Sequence, residues 1–290
     1  MKVKGAFLAV LSAVCYGFLP FFILPIKAAG FPLDTALFYR FLIAAAFLLV
    51  YFIYKRQGLG LTGREFLILS ALGVLFALSA EFLFWAYDFL TPGIASTILF
   101  VYPVIVAVIM AVFYHEKLTV VSVVSLVITL AGVFILSVRD SVLDINFIGL
   151  LIALMSAVAY ALYIVIVNRS KVSGGELKVT FYSLLFSSAY YLGKVIILGH
   201  PVTLPDAAMV GQITLFAFVT TVVTITALIY AIKLIGSTQT AILGALEPVV
   251  AVAVSVWLFG EDLTVKLIVG VVLILVGVIV NVIGERLVER

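Results

Sequence analysis

Ten apolar stretches follow one another along this chain, separated by short polar connections. A helix needs about 20 mostly apolar residues to cross the hydrocarbon core of a bilayer. We therefore predict ten membrane-spanning helices, at residues 4–26, 35–54, 66–90, 94–114, 119–138, 147–168, 179–199, 209–233, 238–259 and 264–284. No predicted connection is long enough to hold an independent soluble domain.

The overall composition supports an all-α integral membrane protein. Hydrophobic residues make up 66% of the chain and charged residues 11%, whereas soluble domains carry about 25% charged residues. The expected surroundings are therefore a lipid bilayer. No basic run points to nucleic acid, and no motif points to a metal or cofactor. Cys15 is the single cysteine, which excludes an internal disulfide.

The distribution of lysine and arginine predicts the orientation of the chain. Cytoplasmic loops of membrane proteins carry an excess of these residues. With both termini in the cytoplasm, the outer side receives only Lys27, Arg139, Lys194 and Lys266, and Arg40 falls within the second span. We therefore expect both termini inside. The short loops favour a prokaryotic plasma membrane, and the apolar N-terminus is expected to be a retained first helix, not a cleaved signal.

The two halves of the chain resemble each other. Pairs 145 positions apart are Pro103 and Pro248, Glu116 and Glu261, Thr119 and Thr264, and Gly132 and Gly277. The pattern predicts a duplicated five-helix unit, with repeats at 1–143 and 144–290. Because five is odd, the second repeat would be inverted relative to the first. Inverted repeats are a common basis for alternating access in transporters, with the solute site near the bilayer midplane.

The duplicated motif is similar to that of a known family. Pro103, Glu116-Lys-Leu-Thr119 and Gly132 recur as Glu247-Pro248, Glu261-Asp-Leu-Thr264 and Gly277, and Tyr39-Arg40-Phe41 precedes an alanine-rich segment. This pattern resembles the EamA branch of the drug/metabolite transporter superfamily. The resemblance implies a ten-helix bundle that exports or imports small metabolites such as amino acids or drugs. It does not identify the cargo.

Pro103 and Pro248 lie inside predicted spans, where proline removes a backbone N–H and frees the carbonyl four residues earlier. These carbonyls belong to Leu99 and Gly244. Such a kink persists in lipid where neighbouring groups satisfy the freed carbonyl. The two prolines are therefore either paired hinges at a central cavity or kinks that serve packing.

Glu247 is predicted near the middle of the ninth span, next to Pro248. An acidic side chain at this depth costs on the order of 3 kcal/mol on insertion scales, so a functional role is the first hypothesis. Glu247 could bind a cationic group or carry a coupling proton. The alternative is a neutral, hydrogen-bonded carboxyl group that braces the kink.

Glu81, Trp85 and Asp88 share one face of the third span. Asp88 is expected to reach water and Trp85 to be either a site residue or an interfacial anchor. Glu81 is deeper and is a second candidate for proton coupling. Arg40 would either pair with Glu81 or another buried carboxylate, or extend towards the outer surface.

Aromatic residues recur at repeat-related positions. Tyr16 in the first span corresponds to Tyr160 in the sixth, which also contains Tyr163, and Tyr102 corresponds to Glu247. Together with Ser12 and Ser156, these tyrosines suit a pocket for an amphipathic or cationic solute. The alternative is that they serve helix packing or interfacial anchoring.

The sequence therefore predicts a secondary transporter, an exporter of small solutes, and not an enzyme. His115 and His200, the only histidines, would lie at opposite membrane faces, and no nucleotide-binding motif is present. A helical scaffold or receptor is the alternative. Spans 1, 3, 4, 6, 8 and 9 are expected to line the cavity, whereas spans 5 and 10 would pack at the ends or form a homodimer contact.

Overall fold

The computed structural model describes residues 2–86, 88–90, 95, 98–116, 118–137, 146–199, 202–259 and 264–288. Within these residues all regular structure is helical. The α-helices are α1 (Lys2–Gly17), α2 (Leu19–Ala28), α3 (Leu33–Tyr54), α4 (Gly63–Ala86), α5 (Tyr102–Tyr114), α6 (Val120–Ser137), α7 (Phe147–Arg169), α8 (Gly175–Ile197), α9 (Ala207–Ala217), α10 (Thr224–Ile235), α11 (Ser237–Gly244), α12 (Leu246–Phe259) and α13 (Val265–Val288). A six-residue π-helical turn, Phe218–Val223, joins α9 to α10.

Most predicted spans coincide with helices. Among the described residues, five helical stretches are long and apolar enough to cross a membrane, namely Lys2–Ile23, Leu33–Tyr54, Gly63–Ala86, Phe147–Arg169 and Ala207–Ile235. The first predicted span divides into α1 and α2, and the ninth divides into α11 and α12. Most of residues 91–97, where the fourth predicted span begins, and the predicted repeat boundary at 143/144 lie outside the described residues.

Contacts between helix termini define the two ends of the bundle. Gly5 in α1 packs against Leu234 and Ile235 at the end of α10. Lys233 donates hydrogen bonds to carbonyl oxygens at the end of α7. We call this the Lys2 end; α1 begins there, and α5, α7 and α10 end there. The opposite end, where α3 begins and α4 and α8 end, is the Asp34 end.

Small residues and hydroxyl groups hold the helices in close contact. A Cβ atom on Gly73 of α4 would lie 2.8 Å from the carbonyl oxygen of Ser183 in α8. One turn further along α8, the Ser187 hydroxyl donates a 2.8 Å hydrogen bond to the Gly73 carbonyl oxygen. This is a typical way for membrane helices to pack, because lipid provides little hydrophobic drive for their association.

The repeat-related glycines Gly132 and Gly277 lie where α6 and α13 pack along each other. A Cβ atom on Gly132 would lie 2.7 Å from the carbonyl oxygen of Gly270, and one on Gly277 would lie 2.9 Å from that of Ser125. Both neighbours are backbone atoms that cannot move aside locally. The glycines therefore allow the backbones of α6 and α13 to approach closely.

We expect Gly132→Ala to lower the free energy of unfolding by about 1–3 kcal/mol, the usual cost of an overpacked contact. Gly193→Ala is the matched control. A Cβ atom there meets nothing within 4 Å, and alanine favours a helix by about 0.5–1 kcal/mol over glycine. Unfolding in detergent mixtures, followed by circular dichroism, measures both variants. Equal stability of the two would contradict a close α6–α13 contact.

Candidate functional site

A small cavity lies among α1, α5, α7, α10, α11 and α12. Its wall combines apolar residues with hydroxyl groups and one carboxyl group. The polar lining residues are Ser12, Tyr16, Tyr102, Tyr160, Thr224, Thr240 and Glu247. Both halves of the chain therefore contribute to one polar site inside an otherwise apolar bundle.

The distance of the cavity from the Lys2 end follows from the positions of two lining residues. Ser12 is ten residues from the start of α1, and Tyr160 is nine residues from the end of α7. At about 1.5 Å per residue, both side chains lie about 14–15 Å from the Lys2 end. This depth is close to half of the roughly 30 Å hydrocarbon core of a bilayer.

Glu247 is at the second position of α12, immediately after a break in the helix. α11 ends at Gly244, the Ala245 amide donates a 3.1 Å hydrogen bond to the Ile242 carbonyl oxygen, and α12 begins at Leu246. The side chain therefore lies beside the first-turn N–H groups of α12, which have no partner within that helix. The sequence predicted a kink within one helix here, and the structure corrects this to two separate helices.

Pro103 has the same setting in the first half. It is the second residue of α5, which begins after a turn at Phe100 and Val101. Proline is well suited to the first turn of a helix because the N–H that it lacks would have no partner there. Pro103 and Pro248 thus each mark the start of a new helix at a break. Whether these breaks act as hinges stays a prediction.

Tyr102 and Tyr160 form the aromatic side of the cavity. Their ring centroids are 4.8 Å apart with an interplanar angle of 76°, an edge-to-face arrangement that favours packing. The Tyr102 hydroxyl donates a 3.3 Å hydrogen bond to the carbonyl oxygen of Ala241 in α11. It thereby links the first half of the chain to the broken helix that carries Glu247.

Tyr163 lies behind this aromatic pair and does not line the cavity. Its ring is stacked on Tyr160 with centroids 6.3 Å apart, and it also packs on Phe76 at 5.3 Å. The side chain is fully buried in the core. Ser156, which was grouped with these tyrosines, donates a 2.6 Å hydrogen bond to the Ser79 carbonyl oxygen and joins α7 to α4.

Arg40 neither pairs with Glu81 nor extends to the surface, so both alternatives for it were wrong. Its side chain is 2% exposed. Nε donates to the Thr221 hydroxyl at 2.6 Å and Nη2 to the Thr220 carbonyl oxygen at 3.1 Å. The guanidinium carbon lies 4.3 Å from the Phe216 ring centroid and 5.9 Å from that of Tyr16. Neutral oxygens and ring faces surround this cation, and the sequence offered no signal for them.

Glu81 belongs to an ion cluster at the Asp34 end. Lys194 of α8 lies between two carboxylates: its Nζ is 2.9 Å from Asp34 Oδ1, and it also bonds Glu81. The cluster joins the start of α3 to the ends of α4 and α8, and it is separate from the cavity. Trp85, one turn beyond Glu81, is 50% exposed, as an interfacial anchor would be.

Two polar cavity residues escaped the sequence-based prediction. Thr224 donates a 3.2 Å hydrogen bond to the Val219 carbonyl oxygen and also lines the cavity. Thr240 was not singled out, although it precedes Glu247 by seven residues, a helical spacing that places both on one face. The third predicted span, α4, was expected to line the cavity and does not contribute to it.

The cavity is small in this conformation. Its volume is about 10 Å³, close to the minimum of roughly 10–15 Å³ that can hold one water molecule. A metabolite with several non-hydrogen atoms does not fit. Binding such a molecule here requires the surrounding helices to move apart.

Comparison with known proteins identifies the class. The model of the EamA-like transporter family matches residues 3–138 and again residues 147–283. The chain belongs to this family, within the drug/metabolite superfamily, and is a multi-pass membrane transporter and not an enzyme. This assignment favours a transporter over the alternative of a scaffold or receptor without transport activity.

Two relatives carry descriptions that agree with this assignment, and one solved structure shares the fold. A protein of Clostridium kluyveri described as an uncharacterized transporter is 26% identical over 239 residues, covering 78% of this chain and 75% of the relative. One of Archaeoglobus fulgidus, with the same description, is 25% identical over 188 residues, covering 65% and 66%. A known crystal structure covers 100% of both chains with a TM-score of 0.85 and 18% identity, which shows the fold alone.

We expect Gly244→Ala to destabilise the protein, because a Cβ atom there would overlap the Tyr102 hydroxyl oxygen. Tyr102 is buried and packed against Tyr160, so we expect a cost of about 1–3 kcal/mol. Tyr102→Phe removes the overlapping atom. The double variant should therefore be as stable as Tyr102→Phe alone, which thermal unfolding in detergent measures. Simple additivity of the two changes would show that Gly244 and Tyr102 are not in contact.

Proposed function

We propose that this protein is a secondary transporter that exports a small metabolite, such as an amino acid or a drug, by alternating access through the central cavity. The observation that carries the proposal is the position of Glu247, which lines a small polar cavity between the two halves of the chain. Acidic side chains at this depth in a membrane mark solute and ion pathways far more often than they serve packing. Glu247 would bind a cationic group of the solute or carry a coupling proton.

The proposal includes two inverted five-helix repeats, residues 1–143 and 144–290. The double match of the family model supports a duplication. Contacts of the repeat-related helices α1 and α7 support the inversion. The start of α1 packs on Leu234 and Ile235, and the end of α7 accepts hydrogen bonds from Lys233. Because α1 begins where α7 ends, the two helices run in opposite directions.

The lysine and arginine distribution assigns the Lys2 end to the cytoplasm in this proposal, and the membrane to the plasma membrane of a prokaryote. The Asp34 end would then face outwards. A homodimer that uses the outward faces of α6 and α13 stays a prediction, since these helices also pack on each other within one chain.

A contact network closes the Lys2 end of the cavity. The Asn168 amide donates a 3.2 Å hydrogen bond to the Ser237 hydroxyl and lies 4.0 Å from the Met110 sulfur. Arg169 packs 4.2 Å from the Tyr114 ring centroid and lies 3.7 Å from Glu116. We call these contacts the Lys2-end network. It joins α5 of the first half to α7 and α11 of the second.

Opening to the cytoplasm would require the Lys2-end network to separate. Its ion pair is solvent-exposed, and exposed pairs contribute only about 0–1 kcal/mol. Its other contacts are single hydrogen bonds and one ring contact. Such a network can hold the Lys2 end together without making that state too stable to leave. A transporter that opens and closes repeatedly requires this.

We expect Glu247→Gln to slow transport strongly while the protein stays folded, because glutamine keeps the shape but not the charge or the titratable proton. Hydrogen bonds to charged groups contribute about 1.5–3 kcal/mol, so transport should fall by about tenfold or more. Amino acids and cationic drugs are screened with wild-type protein by counterflow in liposomes, and the variant is then compared on the solute that is found. Asp206→Asn is the matched control, because Asp206 is an exposed helix cap and asparagine caps equally well.

If Glu247→Gln transports a confirmed solute at the wild-type rate, Glu247 has no role in transport. It would then only brace the helix break. A proton gradient supplies the second readout. It should accelerate wild-type transport and leave Glu247→Gln unaffected. Equal wild-type rates with and without the gradient would exclude proton coupling but not the carrier itself.

We expect a crosslink across the Lys2-end network to arrest transport. In a Cys15→Ser background, which removes the single native thiol, Met110→Cys and Asn168→Cys are joined by a short bifunctional thiol reagent. Counterflow should stop on crosslinking and recover when the link is reduced. Each single-cysteine variant treated with the same reagent is the control. Unchanged counterflow in fully crosslinked protein would contradict separation of the network during transport.

A further inference from the structure

The π-helical turn Phe218–Val223 interrupts the helical stretch Ala207–Ile235 next to the cavity. The sequence explains why the α-helix is weak here. Residues 219–224 are Val-Thr-Thr-Val-Val-Thr, all β-branched and all poor helix formers. Their hydroxyl groups compete for backbone carbonyls: Thr220 donates to the Phe216 oxygen at 2.8 Å, and Thr224 to the Val219 oxygen at 3.2 Å.

Arg40 binds to the middle of this turn. Its Nη2 donates to the Thr220 carbonyl oxygen and its Nε to the Thr221 hydroxyl, at 3.1 and 2.6 Å. A rigid guanidinium fork can hold two oxygens at a fixed separation, which a lysine cannot. The Phe216 ring, 4.3 Å away, adds a cation–π contact on the preceding turn. Arg40 therefore holds the π-helical turn through oxygens on two adjacent residues.

The turn sets the rotation of every residue that follows it in the same stretch. A π-helical turn contains about one more residue than an α-helical turn, and one residue corresponds to a rotation of about 100° in an α-helix. With the turn present, Thr224 and Leu228 line the cavity, and Lys233 reaches the carbonyl oxygens of Asn168 and Ser170. Loss of the turn would rotate all three away from these positions.

We propose that Arg40 is a positioning residue: by holding the π-helical turn it sets which face of α10 lines the cavity. The inference rests on the proposed function only in taking this cavity as the solute site. Arg40 itself is not part of the cavity wall. It acts from α3 through Thr220 and Thr221 on Thr224 and Leu228, one to two turns further along.

The test measures the rotation of α10 directly and needs no transported solute. In the Cys15→Ser background, Leu228→Cys reports the cavity face of α10, and Ser12→Cys reports the same cavity from α1. The probe is 2-aminoethyl methanethiosulfonate, which enters when the helices around the cavity move apart, and its reaction rates at the two positions are compared in lipid nanodiscs. With Arg40→Met, a rotation of about 100° should slow the reaction at Leu228→Cys by about tenfold and leave the rate at Ser12→Cys within about twofold.

A purely structural role for Arg40 would change both rates together. Phe41→Leu, on the same helix and also buried, is the control for general loosening of α3. It should change the reaction rates at Leu228→Cys and Ser12→Cys by the same factor. Arg40→Lys should recover only part of the Leu228→Cys rate, because one ammonium cannot hold both oxygens. Wild-type rates at both positions in folded Arg40→Met protein would overturn the proposal.

A second variant keeps the proposal testable if Arg40→Met does not fold. Thr221→Val keeps the side-chain shape and removes the oxygen that accepts the Arg40 Nε hydrogen bond. It should slow the reaction at Leu228→Cys selectively, with a smaller effect than Arg40→Met. Equal slowing at Ser12→Cys would count against the proposal. Because none of these rates depends on transport, failure here is distinguishable from failure of the transport experiments.

Discussion

The structure depends on one constraint of its solvent: in lipid, every buried polar group needs a partner within the protein. The helices meet it in part by hydrogen bonds from side-chain hydroxyls to carbonyls of neighbouring helices, such as Ser187 to Gly73, Tyr191 to Ala77 and Ser156 to Ser79. The same constraint governs Arg40. A cation at this depth is tolerated because a hydroxyl, a carbonyl oxygen and ring faces replace its water. The contacts that pack the helices together thus also supply hydrogen bonds to their buried polar groups.

This constraint explains which parts of the fold could be predicted from the sequence. Length and apolarity are sufficient to locate the spans, because a helix is the only economical way to satisfy the backbone across a bilayer. Interruptions are harder to locate. Pro248 signalled a disturbance but could not distinguish a kink from the observed end of α11 at Gly244. The π-helical turn gave no clear signal, since a run of β-branched residues is also compatible with an α-helix, and the deciding contact comes from Arg40, about 180 residues earlier.

Cavity-lining residues were predicted where the similarity between the two halves relates them. They were missed where contacts between distant parts of the chain determine their surroundings. Tyr16, Tyr160, Tyr102 and Glu247 occupy equivalent positions in the two halves, and all four line one cavity. Helical spacing alone was insufficient elsewhere, because it defines a face without saying what that face meets. Pairing with Glu81 was one of the two alternatives for Arg40, yet Lys194 bonds Glu81 instead. Arg40 has neutral partners, and neutral oxygens leave no charge pattern in a sequence.

Three interruptions of helical hydrogen bonding lie next to the cavity. α5 begins at Tyr102 after a break, α12 begins at Leu246 after another, and the π-helical turn ends where Thr224 enters the wall. By contrast α3 and α4 are single helices that both pack on α8, which is also a single helix. Each interruption frees backbone groups, which lipid cannot satisfy, so each is stable only beside substitutes such as the Tyr102 hydroxyl and the Arg40 guanidinium. Those substitutes are side chains, and side chains can exchange partners at lower cost than a continuous helix can unwind. The deformable parts of this bundle are therefore the parts that enclose the cavity, which is the distribution that opening and closing a central site requires.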